Sequence, residues 1–139
     1  SDMTGKVLGA QAGSSGYIDF EAQPELLKNI VKDQKANQYQ SFNEALIDLQ
    51  NDRIDALLID RVYANYYLET EGILDQYEIF PAGFESESFA VGVRPADKTL
   101  LANLNKAFEE LYQEGKFQEI SKKWFGEDVA TNQIKGKEN

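Results

Sequence analysis

Ile54-Asp55-Ala56-Leu57-Leu58-Ile59, running straight into Asp60, is a mostly apolar stretch of strand length that stops on a carboxylate. Such a run is expected of a strand covered on both faces, the habit of parallel sheets flanked by helices. Asp60 then stands at the start of a helical stretch carrying Val62, Tyr63, Tyr66 and Tyr67. Upstream, turn-prone Asn51-Asp52 ends a helix whose apolar face is Ala45, Leu46 and Leu49. That helix opens on Ser41-Phe42-Asn43-Glu44, the capping-box spacing in which serine and glutamate each satisfy an orphan amide.

The same alternation extends in both directions. Asn37 to Gln40 reads as a short strand, as does Lys6-Val7-Leu8-Gly9-Ala10-Gln11. The latter leads through Gly13-Ser14-Ser15-Gly16 into a helical stretch interrupted near Pro24, with Leu26, Leu27, Ile30 and Val31 at helical spacing. Downstream, Tyr77 to Pro81 and Phe89-Ala90-Val91-Gly92-Val93 read as two further strands. Strands alternating with helices predict right-handed crossovers, hence an α/β fold with a mostly parallel sheet.

After Pro95 the pattern turns helical. Asp97 is placed to cap a helix bearing Leu100, Leu101, Leu104, Phe108 and Leu111, with Gly115 as its stop. A second helix sets Phe117, Ile120 and Trp124 on one face and ends near Gly126. Ala130 to Asn139 is expected to be a polar, mobile tail.

Composition narrows the chemistry. The 139 residues suit one compact domain with a sizeable core. With 24 acidic against 14 basic side chains the net charge is -10, a field that repels nucleic acid and anionic membranes. There is no cysteine and no histidine, which removes thiolate catalysis, Ser-His-Asp catalysis and histidine-based metal sites from this chain. No apolar run reaches the ~20 residues that span a bilayer, and no basic-then-apolar leader is seen. The abrupt opening Ser1-Asp2-Met3 is expected of a trimmed chain, or of initiation at Met3.

Two places could carry function. Gly13-Ser14-Ser15-Gly16 lies between a strand and a helix, where free amides and the helix dipole can hold a carboxylate or phosphate and serine hydroxyls add donors. It could equally be a plain turn with a serine cap, and it lacks the Gly-Lys-Ser/Thr ending of a P-loop. Asp60 falls beyond the carboxyl end of its strand, where ligands of open α/β sheets sit. A carboxylate at a buried edge there could receive an ammonium group in a charge-assisted hydrogen bond, or it could serve only as an N-cap. One site favours an anion and the other a cation, and a zwitterion matches the pair. Glu85 with Glu87, Glu109 with Glu110, and the tyrosines read as solvated or packing residues.

The ordered set of segments resembles a known family. Thr4 to Gly16 is similar to the stretch that enters lobe two of type-two periplasmic amino-acid-binding proteins. Ser41 to Leu46, Leu49 and Arg53 to Asp60 resemble its next signature, Phe89 to Arg94 its return to lobe one. Tyr112 to Lys116, Ile120 and Lys123 to Gly126 resemble its closing helices. The resemblance implies a lobe-two α/β domain over 1–86, a return strand and helices of lobe one over 87–128, and a tail over 129–139. It further implies that Gly13, Ser14, Ser15 and Gly16 meet the α-carboxylate of a free amino acid and that Asp60 takes the α-ammonium. Gln11 would face the ligand side chain, and Glu85 to Ser88 would form one hinge strand. Gly16 departs from the polar residue of several relatives.

The larger departure is that nothing corresponds to the part of the first lobe that supplies the family's clamp arginine and aromatic wall; Arg53, Arg61 and Arg94 do not replace them. The expected function is therefore that of a truncated, extracytoplasmic substrate-binding component of an amino-acid ABC importer, periplasmic or a cell-surface lipoprotein, which binds a polar amino acid in an interlobe cleft and engages ABC permease subunits. It is expected to be a non-enzyme without cofactor or metal. The fragment is expected to bind free amino acids poorly, and its last helices to dock on lobe two or on another copy, as a homo-oligomer or exchanged dimer. The alternatives are a sensory domain of the same fold and a dehydratase of small carboxylic acids.

Overall fold

The computed structural model describes residues 2–137 and divides into two compact units, one ending at Glu85 and the other beginning at Ser86. In the first unit, strands β1 (Leu8–Gln11), β2 (Ala36–Tyr39) and β3 (Ala56–Leu58) alternate with helices α1 (Ser15–Ala22), α2 (Phe42–Gln50) and α3 (Arg61–Thr70). The sheet has the order β2-β1-β3, and both pairings are parallel. β1 is thus the central strand, and each strand is followed by a helix.

Register decides which side chains meet. Leu8 pairs with Ala36 and Ala56, and Ala10 pairs with Leu58. These residues share one face and join Met3, Phe20, Leu27 and Val31 in the core, with Tyr17 and Phe84 packed alongside. On the other face Gly9 leaves room for its neighbours. A β-carbon there would lie 2.6 Å from Ile54 Cδ1 and 3.0 Å from Tyr39 Cε2. Above that face α2 buries Ala45 and Leu46.

Several expectations are corrected by what hydrogen bonds require. The ladder of β3 covers only Ala56 to Leu58, and these residues are half-buried rather than sealed on both faces. Chain between Pro24 and Val31 forms irregular turns, since α1 already ends at Ala22. Proline has no amide to donate and disfavours helix in the residue before it. Leu27 and Val31 still reach the core, while Leu26 and Ile30 are exposed. On α3 the buried residues are Ala64 and Leu68, not the tyrosines.

Neither Tyr77 to Pro81 nor Phe89 to Val93 forms a strand. A strand exists through its ladder partners, and neither segment is paired. Phe89 is 79% exposed and Val91 55%.

The second unit holds α4 (Lys98–Gln113) and α5 (Lys116–Phe125), joined at Gly115, whose φ of 79° stops one helix and starts the next. Phe108 and Tyr112 of α4 meet Phe117 of α5 through ring contacts of 6.4 and 6.3 Å between centroids. Asp97 precedes α4 but its side chain does not cap it; its Oδ2 accepts from Arg94 Nε at 2.7 Å instead. Of the stretch Ala130 to Asn139, expected as a mobile polar tail, Ala130 to Lys137 folds back on the helices, and Glu138 and Asn139 lie outside the described residues. Ala130 is buried, and the buried Ser121 hydroxyl donates to the Glu127 carbonyl at 2.6 Å while accepting from the Val129 amide at 3.0 Å.

Candidate functional site

Parallel pairing brings the carboxyl ends of β1, β2 and β3 to one edge of the sheet, and the amino ends of α1, α2 and α3 follow directly. The local sequence ends each strand with a capping residue. Ser14 Oγ accepts from the Tyr17 amide at 3.2 Å, Ser41 Oγ from the Glu44 amide at 3.3 Å, and Asp60 Oδ1 from the Tyr63 amide at 2.8 Å. Three helix amino ends therefore face the same edge, each carrying a partial positive charge and first-turn amides without helical acceptors.

Around Gly13 the chain turns sharply. Gly13 takes φ of +71°, a conformation that costs glycine nothing and other residues strain. Gly16 sits in the first turn of α1 against Leu58 of β3; a β-carbon there would lie 3.4 Å from Leu58 Cγ. The amino end of α1 is thus seated beside the strand that leads to Asp60. Ser14 spends its hydroxyl proton on the Gln11 carbonyl at 2.9 Å. The expectation that both serines offer free donors is therefore corrected. Ser15 is exposed in the first turn of α1, and its hydroxyl makes no hydrogen bond among the described residues.

Gln11 ends β1 and donates from Nε2 to the Gln40 carbonyl at 3.2 Å, which ties it to the mouth of β2. Asp60 is exposed rather than set at a buried edge. One of its oxygens is engaged as the cap of α3. Of its two expected roles, capping is present in the structure. All six residues, Gln11, Gly13, Ser14, Ser15, Gly16 and Asp60, lie at this one edge of the first unit.

Sequence reasoning missed the third amino end. Ser41 to Glu44 read as a capping box, a signal of structure alone, yet it follows β2 directly at the same edge. The glutamate arm of that box reaches one residue further back than the pattern predicts, with Glu44 Oε2 accepting from the Gln40 amide at 3.1 Å. Tyr63 bridges α3 to α2: its hydroxyl donates to Asn43 Oδ1 at 3.1 Å, and its ring lies 5.2 Å from that of Phe42. The signal available in the sequence was position, because Ser41 stands after a strand as Ser14 and Asp60 do.

Behind this edge a polar network fixes β2 to α2. Tyr39 donates its hydroxyl to Asp48 Oδ2 at 2.8 Å, and Arg53 Nη1 donates to Asp48 Oδ1 at 2.8 Å. Arg53, and then Tyr39, hold the Asp48 carboxyl below its ordinary range. Burial, and then Asp48, push the Tyr39 hydroxyl up.

Two concavities lie away from this edge. One of about 180 Å³ lies at the opposite end of the sheet, lined by Val7, Lys32, Asp33, Lys35 and Asn37. Another, of about 470 Å³, lies in the second unit between Ser88 to Ala90 and Ala130 to Gln133. The first sets Lys32 and Lys35 beside Asp33 but lies where strands begin rather than where they end, and no charged side chain lines the second. Among the described residues no three acidic, histidine or cysteine side chains are grouped to hold a metal, and no helix is long and apolar enough to cross a membrane.

Comparison with known proteins gives the family and agrees with the fold. The family model for bacterial extracellular solute-binding proteins, family 3, matches residues 11–127. A substrate binding protein of an ABC uptake transporter from Streptococcus pneumoniae, solved with bound histidine, is 72% identical. It superposes with a TM-score of 0.80 over 94% of this chain and 53% of its own. A polar amino acid ABC uptake transporter substrate binding protein from Streptococcus thermophilus is 65% identical, with a TM-score of 0.76 over 97% of this chain and 51% of its own. The ABC transporter arginine-binding protein 1 of Escherichia coli (strain K12) is 30% identical over 128 residues, which are 90% of this chain and 49% of that protein. The chain thus spans about half the length of the relatives it matches.

Proposed function

Because this chain belongs to family 3 of the bacterial extracellular solute-binding proteins, we propose that it forms one half of a two-lobed amino-acid-binding component of an ABC importer. Its share of the cleft is the strand-end edge of the first unit. The first-turn amides of α1 at Ser15 and Gly16, with the Ser15 hydroxyl, receive the α-carboxylate. The free oxygen of Asp60 receives the α-ammonium, and Gln11 borders the ligand side chain. The observation that carries this reading is the shared edge: the parallel pairing of β1 with β2 and β3 gathers an electropositive turn and an exposed carboxylate.

The role is binding rather than catalysis. Closure of the other lobe over this edge would complete the site, and the closed form would engage the permease subunits. The family's description as extracellular supports a working place outside the cytoplasm, either in the periplasm or at the cell surface.

Calorimetry on the two-lobed protein tests the assignment. Asp60→Asn keeps an acceptor for the Tyr63 amide but removes the charge, and it should weaken amino-acid binding by at least ten-fold, since charge-assisted hydrogen bonds are worth roughly 1.5–3 kcal/mol. Unchanged affinity would remove Asp60 from the site.

A further inference from the structure

A carboxylate receives an ammonium group most strongly when its direction is fixed, and Asp60 itself is exposed. One of its oxygens is tied to the Tyr63 amide at 2.8 Å. Tyr63 is in turn held from α2, by a hydrogen bond to Asn43 Oδ1 at 3.1 Å and by ring contact with Phe42 at 5.2 Å. The chain of contacts therefore runs from the amino end of α2 through Tyr63 to the Asp60 carboxylate.

We propose that Tyr63 and Asn43 are positioning residues that set the direction of the Asp60 carboxylate across the edge; this rests on the assignment of Asp60 to the ammonium made above. Neither residue needs to touch the ligand. Their contact fixes the first turn of α3 against the first turn of α2. With one Asp60 oxygen spent on the cap, the other is presented in a single direction. Without the bond, the first turn of α3 can tilt, and the carboxylate swings with the amide it accepts from. A hydroxyl-to-amide bond at the exposed surface is a small lever for stability but a larger one for angle, because a charge-assisted hydrogen bond weakens as it bends.

The test compares two ligands on the two-lobed protein: an amino acid it binds, and the carboxylic acid that lacks only the amino group. Tyr63→Phe keeps the ring against Phe42 and removes the bond. It should weaken amino-acid binding by roughly three- to ten-fold, the range of one net hydrogen bond, and leave affinity for the des-amino acid unchanged. Asn43→Ala should do the same from the other side, and the double variant should be no weaker than either single one. Equal loss for both ligands, or no loss for either, would overturn the proposal. Asp60→Asn run in parallel separates the two claims. If it weakens binding while Tyr63→Phe does not, only the positioning role fails; if Asp60→Asn has no effect, the assignment beneath it fails as well. Should Tyr63→Phe unfold, Asn43→Ala alone decides, since Asn43 is exposed and breaks the same bond.

Discussion

Gly16 in the first turn of α1 lies against Leu58, the last paired residue of β3; a β-carbon on Gly16 would stand 3.4 Å from Leu58 Cγ. This contact, and not only the topology, seats the amino end of α1 beside the strand that leads to Asp60. Gly16→Ala should be tolerated, because that distance is ordinary van der Waals contact. Gly16→Val adds two methyl groups toward Leu58 and should displace the turn, costing about 1–3 kcal/mol by overpacking. Urea unfolding of both variants checks the difference. The valine variant should also lose ligand affinity in the two-lobed protein, and the alanine variant should keep it.

Gly9 makes a sharper demand on the opposite face. Its neighbours Ile54 and Tyr39 leave 2.6 and 3.0 Å for a β-carbon. Ile54 Cδ1 is the end of a flexible chain and can yield, whereas the Tyr39 ring is held by its bond to Asp48. Gly9→Val is expected to destabilise the first unit by at least ~1–3 kcal/mol, read as a lower denaturation midpoint at unchanged slope.

Acid should act through Asp48. Its carboxyl is held below the ordinary range by Arg53 first and Tyr39 second. A lowered folded-state pKa contributes stability above the unfolded value, about 3.9 for aspartate, and that contribution is lost as pH falls through the folded value. Asp48→Asn should therefore lower the melting temperature at neutral pH and flatten its fall below pH about 4. At the alkaline end the sign reverses for Tyr39. Its raised value means that stability is present below the unfolded pKa, about 10, and lost as pH rises through the folded one. Tyr39 should ionise later than the exposed tyrosines in an ultraviolet titration.

The second unit carries exposed apolar side chains: Phe89, Val91, Leu100, Leu101, Ile120 and Trp124. Apolar surface of this kind favours association. The chain by itself should therefore self-associate as concentration rises, visible as a rising mean mass in sedimentation equilibrium. A constant monomer mass up to millimolar concentration would count against the expectation of an oligomer.

What the sequence disclosed follows from what each signal depends on. β1, β2, α2 and β3 were legible because their apolar patterns, turns and caps are local properties of the chain. Gly115 and Gly126 were legible as helix ends, since both occupy left-handed positions that favour glycine. Phe89 to Val93 was misread because a strand is completed by a partner, and β propensity cannot supply one. Asp97 was misread because Arg94, three residues away, competes for its carboxylate. At the site, the positions of Gln11, Gly13 to Gly16 and Asp60 could be read from strand ends. The spent hydroxyl of Ser14, the exposure of Asp60 and the bridge from Tyr63 to Asn43 depend on side-chain geometry and distant pairing, which no local pattern encodes.

The measurement that bears most directly on the central claim is a nuclear magnetic resonance titration of this isotopically labelled chain with a zwitterionic amino acid at millimolar concentration, where even half a cleft would register. The account predicts weak binding, with the largest amide shifts confined to Gly13 to Gly16 and Asp60 to Tyr63. Shifts centred instead on Lys32 to Asn37, at the far end of the sheet, would contradict it.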